Sequence, residues 1–198
     1  MSDPTKPNSS SDPPPPPSAV PVAGRRRLLQ GGLAAAPVLM TLVSRPVLAQ
    51  CTTPSGYVSA NASTAGRGVA CTGRTPGYWK QSQHFDAWTP PYYPTTVSGH
   101  GGHHATLFDH VFAPHYPNKT LLDVLNPQIV GSGPPNDVAR HIVAALLNIA
   151  AGWTPVLTVT AVKDMWKEYI TTGSFSPSSG AHWNHDQIIE YLLTTMPQ

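Results

Sequence analysis

The apolar positions of this chain fall into helical stripes in its second half and into no regular pattern before that. The strongest stripe is Val138, Ile142, Ala145, Leu146 and Ile149, continued round the cylinder by Val143, Leu147 and Ala150. This spacing predicts a helix over 137–151, apolar on most of its circumference and therefore central to the core. Asn136 stands as its cap and Gly152 as its terminator. A second stripe of Val162, Met165, Trp166, Tyr169 and Ile170 predicts a helix from about Thr160 to Thr172, ending at Gly173. A third helix begins at Asn184, with Gln187 at the capping-box position and Trp183 placed to staple onto Ile188. Its expected buried face is Ile188, Ile189, Leu192, Leu193 and Met196. Upstream, Thr120 caps a short helix through Leu121, Leu122, Val124 and Leu125, with Asp123 in its first turn. Pro127 stops that helix, because its ring clashes with the preceding turn.

Residues 50–70 are rich in Ser, Thr, Gly and Ala with little periodicity, and read as an irregular strap. Pro76-Gly77 suits the centre of a type II turn, after which a short helix runs from Tyr78 to Phe85. A long connection rich in Pro, Gly and His follows, too long for an ordinary link inside a compact domain. No segment alternates polar and apolar residues for long, and no internal repeat is visible. The expected fold is mainly α: a small single-domain helical bundle with a long irregular N-terminal strap and loops.

Residues 1–23 hold eight prolines and no aromatic side chain. Such a leader cannot bury enough surface to offset its ordering entropy and is expected to be disordered. Residues 24–49 combine Arg25-Arg26-Arg27-Leu28-Leu29, an apolar run from about Leu33 to Val43, and Val47-Leu48-Ala49 as a small-residue cleavage signal. The apolar run is shorter than the ~20 residues needed to cross a bilayer. The paired Arg25 and Arg26, the moderate hydrophobicity and Arg45 before the cleavage point resemble a bacterial twin-arginine signal. The run departs from that pattern with Gly24, Leu28 and Gln30 at the positions flanking and following the arginine pair. An ordinary secretory signal is the alternative. Either route implies cleavage after Ala49, a mature domain over 50–198, a periplasmic or secreted location and no permanent transmembrane anchor. The first route adds the twin-arginine translocase as a transient partner.

Charge follows the same division. The basic excess sits in the leader, and residues 50–198 carry seven Lys and Arg against eight Asp and Glu. With no basic face there, nucleic acid is not an expected partner. Cys51 and Cys71 are both in the mature part. In an oxidising compartment such a pair reads as one disulfide, stabilising by ~3 kcal/mol through lost unfolded-chain entropy. A lipidated Cys51 is the rival reading, against which Gln50 stands where a small residue is required.

The candidate chemistry begins with histidine. Five cluster within 100–115, namely His100, His103, His104, His110 and His115, with Asp109 among them. Imidazoles and a carboxylate at loop spacing can reach one zinc or copper ion, and His100, His103, His104, Asp109 and His110 are the candidate ligands. The spacing matches no defined site, so a flexible, solvated tract is the competing account. Glu168 and Glu190 lie on predicted solvent faces of separate helices, with nothing to converge them as a glycosidase pair. Gly131-Ser132-Gly133 lacks the strand-to-helix setting of a nucleophile elbow. Tyr78, Trp79 and Lys80 form a possible ligand-contact platform, although buried aromatics more often serve a core. His141 and Asn148 lie on one face of the central helix. They line a cleft or are satisfied within the core, Asp137 being a local partner for His141.

Taken together, Cys71-Thr72, Thr75-Pro76-Gly77-Tyr78-Trp79-Lys80, Leu121-Leu122-Asp123-Val124-Leu125 and the run Ala139 to Asn148 resemble a group of uncharacterised bacterial exported proteins. That group shares a Thr-Pro-Gly-Tyr-Trp-Lys signature and a central helix of Leu-Ile-Ala-Ala-x-Leu-Asn type. The resemblance spans about residues 70–196 and implies location and fold, without an activity. The expected function is a non-catalytic module that engages a cell-envelope or extracellular partner. A metal-binding protein or small metalloenzyme using the His100–His115 loop is the alternative, and a hydrolase with an unlocated site is the third.

Overall fold

The chain enters its core at a disulfide. The computed structural model describes residues 50–63, 69–178 and 180–197; the Pro-rich leader, Arg25, Arg26 and the cleavage position after Ala49 lie outside them. Strand β1 (Gln50–Cys51) pairs antiparallel with β2 (Val69–Ala70), and Cys51 is bonded to Cys71, their Cα atoms 5.6 Å apart. Between the strands the expected irregular strap is interrupted by a helix, α1 (Pro54–Ser63). Thr53 starts it, its hydroxyl accepting from the Gly56 N–H at 3.2 Å. Tyr57 then anchors it, edge-on to Trp183 and Tyr191 with its hydroxyl donating to Glu190. Composition hid this helix because the apolar contacts described for it come from Tyr57 and Val58, too few to make a stripe.

The expected type II turn at Pro76-Gly77 is instead the first turn of a helix, and the expected helix through Phe85 is two pieces. Helix α2 (Pro76–Trp79) closes with the Lys80 N–H on the Pro76 carbonyl, Gln81 turns extended, and a 3-10 turn runs Ser82–Ala87. In the long connection, Phe108 is fully buried and carries a short helix, α3 (Phe108–Val111), that the Pro and His composition did not suggest. Helix α4 (Leu121–Leu125) has the expected Thr120 cap, and Asp123 completes the capping box by accepting from the Thr120 N–H at 2.9 Å. Pro127 does more than end α4. It occupies the first turn of α5 (Pro127–Val130), where its missing N–H costs nothing and Asn126 caps the Gln128 N–H.

Helix α6 (Asn136–Ala150) is the central element, packed against α2, α4, α7 and α8. Val138, Ala139 and Ile142 to Leu147 are buried, each branched side chain contributing about 1.5–3 kcal/mol on leaving water. Asn136 lies inside this helix and does not cap it: its Oδ1 accepts from the Tyr116 hydroxyl at 2.7 Å. Burial pushes the Tyr116 phenol up to about 12, so it remains a donor there. Gly152, at φ +74°, ends α6 as expected.

Helix α7 (Val159–Thr172) starts one residue before its expected position, because Thr158 caps the Ala161 N–H. It ends at Gly173 in the left-handed region, φ +80°. A hairpin follows that the sequence pattern did not announce, β3 (Phe175–Ser178) with β4 (Ala181–Trp183). Glu168, expected on a solvent face, binds it by accepting from the Ser176 N–H at 2.9 Å. Helix α8 (His185–Thr194) carries the expected Asn184 and Gln187 capping box. Its buried face includes Tyr191, while Leu193, expected inside, is 43% exposed. The architecture is mainly helical, and the described residues cluster as one compact unit.

Candidate functional site

Asn148 fixes the turn that the sequence singles out. It is fully buried on α6 and satisfies three groups at once. Its Oδ1 accepts from the Arg74 N–H at 2.8 Å and from Trp79 Nε1 at 3.0 Å, and its Nδ2 donates to the Arg74 carbonyl at 2.9 Å. Gly73 lets the chain come this close. A Cβ there would meet the Thr195 carbonyl oxygen, and Asn148 Nδ2 and Thr154 Oγ1 at 2.9 Å. Trp79 is fully buried and stacks on Trp153 at 5.2 Å, while Trp88 Nε1 donates to the Trp79 carbonyl. Asn148 therefore partners the turn and not His141. The His141 ring donates from Nδ1 to the Asp137 carbonyl at 2.7 Å, and burial pushes its pKa down. The Asp137 carboxylate goes elsewhere, to Arg140 and to the Gly133 N–H.

With its backbone pinned to the core, the turn presents Arg74, Lys80 and Gln81 to solvent. Tyr78 is not an open platform. His84 stacks on it at 3.7 Å, Trp79 and Trp153 meet it edge-on, and the Arg74 guanidinium stands 5.6 Å from its ring centre. Trp79 is inside the protein. Of the three expected contact residues, Tyr78 and Lys80 reach clefts and Trp79 supports them from behind.

Two clefts flank the turn and share Gln81 as a wall. The first, of about 340 Å³, is lined by Arg74, Thr75, Gly77, Tyr78, Gln81 and Pro197. The second, of about 380 Å³, lies between Lys80 and the α4–α5 corner, with Leu122, Asp123, Asn126 and Ile129 in its wall. Both are large enough for a small ligand or a side chain of a partner. Gln81 is hydrogen-bonded at both ends of its amide: its Nε2 donates to the Gly77 carbonyl at 2.9 Å and its Oε1 accepts from Gln83 at 2.7 Å. Among the described residues the one ion pair made by a Lys or Arg is Arg140–Asp137, so Arg74 and Lys80 make none. Sequence reasoning missed Arg74 and Gln81. Their signal was a cation two residues ahead of the Pro76-Gly77 pair that opens α2, with no acidic residue nearby in the chain.

The histidine segment is arranged differently. Val97 and His103 exchange backbone hydrogen bonds, and the His103 ring stacks on Tyr93 at 3.9 Å. Asp109 Oδ1 accepts from the His115 and Tyr116 N–H groups at 2.9 and 3.0 Å, and His115 meets Trp166 edge-on. His100 is exposed in the Gly99–Gly102 turn. His104 and His110 share a cleft of about 510 Å³ with Thr96, Ala105, Leu107 and Thr120. Among the described residues no three His, Cys, Asp or Glu side chains are grouped to hold a metal ion. His100, His103, His104, Asp109 and His110 are thus not brought to one point.

One polar pair escaped the sequence reading altogether. Ser176 Oγ lies 3.1 Å from His182 Nδ1 on the exposed hairpin. A nucleophile of this type needs an orienting partner for its base and donors for an oxyanion. Among the described residues no other side chain hydrogen-bonds His182.

No protein-family model matches this chain, and comparisons with curated proteins and with solved structures found no match either.

Proposed function

We propose that the chain is an exported, non-catalytic interaction module of the cell envelope or extracellular space, engaging its partner through the Arg74–Gln81 turn and the two clefts beside it. The observation that carries this reading is the pairing of a pinned backbone with two cations that make no ion pair among the described residues. Rigid presentation reduces the ordering cost of binding, and cations without an ion pair give the face its complementarity. Export is supported by the twin-arginine-like Arg25-Arg26 pair, by the Cys51–Cys71 disulfide, and by the resemblance to exported proteins with the same signature. No helix among the described residues is long and apolar enough to cross a membrane. The helical bundle serves as the scaffold, and the translocase is a partner during export alone.

The test is retention in the envelope fraction of the native host. Arg74 and Lys80 are exposed, so Arg74→Glu with Lys80→Glu should leave stability within about 0.5 kcal/mol of the parent. The expected result is a parent protein retained with the envelope and a double variant released from it. A parent found free in the soluble fraction, or a double variant retained equally, contradicts the proposal. A second reading, zinc or copper binding, rests on His104 and His110 lining one cleft. Stoichiometric metal in the purified protein, lost on replacing both histidines with Ala, would raise it to first place.

A further inference from the structure

We infer that the turn face takes an extended peptide segment in which an acidic residue is followed by a branched apolar one, the carboxylate seated at Arg74 and the apolar side chain between Leu122 and Ile129. This rests on the reading of the turn as the binding face and adds the ligand's chemistry.

The two clefts differ in character. Among the described residues that line the first none is acidic; Arg74, Thr75 and Tyr78 bring a guanidinium, a hydroxyl and a phenol to it. Guanidinium and hydroxyl donors together match a carboxylate, whose two oxygens accept in the plane of the guanidinium. The second cleft balances Lys80 against Asp123, whose Oδ2 is engaged by the Thr120 N–H, so it has little preference for an anion. What it offers instead is apolar surface. Leu122 is half-buried, and Ile129 is 45% exposed, one of the few large apolar side chains left open. An exposed isoleucine alone carries no meaning, but this one lines a cleft that shares Gln81 with the cleft holding Arg74.

The wall between the clefts favours a peptide. Gln81 lines both and is oriented by its bonds to Gly77 and Gln83. Asn126 and Gln128 add carboxamides to the second cleft. Amides on a fixed wall suit the alternating N–H and C=O groups of an extended backbone, while side chains enter the pockets on either side. A free anion would use the first cleft alone and leave Leu122 and Ile129 untouched.

The experiment uses four blocked heptapeptides of Gly and Ser carrying Glu-Ile, Gln-Ile, Glu-Gly or Lys-Ile at the centre, titrated into the 15N-labelled protein. The Glu-Ile peptide should shift the amide signals of Arg74, Gln81 and Ile129 and bind at least about tenfold more tightly than Gln-Ile, the range of a charge-assisted hydrogen bond. Arg74→Gln should remove the preference for Glu over Gln, and Ile129→Ser the preference for Ile over Gly. Lys119→Gln, outside both clefts, should change neither. Equal binding of Glu-Ile and Gln-Ile, or shifts confined to other regions, overturns the inference. So does tighter binding of a uronic-acid oligosaccharide that ignores Ile129→Ser. If those results appear while envelope retention still depends on Arg74 and Lys80, the ligand class fails and the module stands. If retention is also indifferent, the underlying reading fails with it.

Discussion

The Arg74–Gln81 turn and the histidine segment over 96–115 are both polar loops beside the same core, yet they use their polar groups in opposite ways. In the turn, a buried side chain from α6 satisfies the backbone, and among the described residues Lys80 makes no ion pair while Arg74 meets only the Tyr78 ring. In the histidine segment some of the side chains complete the structure, while His100, His104 and His110 are exposed. Asp109 holds two backbone N–H groups, His103 covers Tyr93, and His115 packs against Trp166. A dense cluster of chemically capable residues can therefore be structural, while a sparse one on a fixed frame remains open to a partner.

The most damaging way to break this contrast is to remove the pin. Asn148→Ala leaves the Trp79 indole N–H and both Arg74 backbone groups unpartnered, and should destabilise by about 3–4 kcal/mol in urea denaturation. A loss below about 1 kcal/mol would mean that the turn is held by other contacts. Gly73→Ala attacks the same junction from the other side. Its Cβ would press on the Thr195 carbonyl and the Asn148 amide, and overpacking of this kind should cost about 2 kcal/mol.

The third prediction concerns pH. Burial pushes the His141 pKa below its ordinary 6.5, so the unfolded chain takes up this proton at higher pH than the folded one. The stability linked to His141 is complete above that ordinary value and is lost as pH falls toward the lower folded value. His141→Gln should therefore flatten the decline of the melting temperature between neutral and mildly acidic buffer. A decline as steep as the parent's would assign it to other groups.

The smallest effect is expected in the histidine loop. Replacing His100, His103 and His104 together with Ala should change stability by no more than about 0.5 kcal/mol, since two are exposed and the third loses one ring contact. A larger loss that metal addition restores would reverse the contrast between the two loops.

Much of the helical frame was legible because long apolar stripes leave few alternatives. The stripe from Val138 to Ile149 identified α6, and Thr120, Asn184, Gly152 and Gly173 marked boundaries by their own chemistry. The short elements were not legible. Helix α1 depends on Tyr57 meeting Trp183 and Tyr191, more than a hundred residues away in the chain, and no local pattern encodes that contact. The hairpin contains Pro177 and too few residues for alternation to register. The site was half legible. Proline, glycine and two aromatics drew attention to the turn, but Asn148 read as a helix polar residue, because its partners Arg74 and Trp79 come from a distant part of the sequence.

The most direct test places the two loops side by side in the native host. Envelope retention would be measured for the parent, for Arg74→Glu with Lys80→Glu, and for His100→Ala with His103→Ala and His104→Ala. The account predicts that the charge reversal releases the protein while the histidine variant stays with the envelope. Release of the histidine variant, with the charge-reversed protein retained, would contradict it.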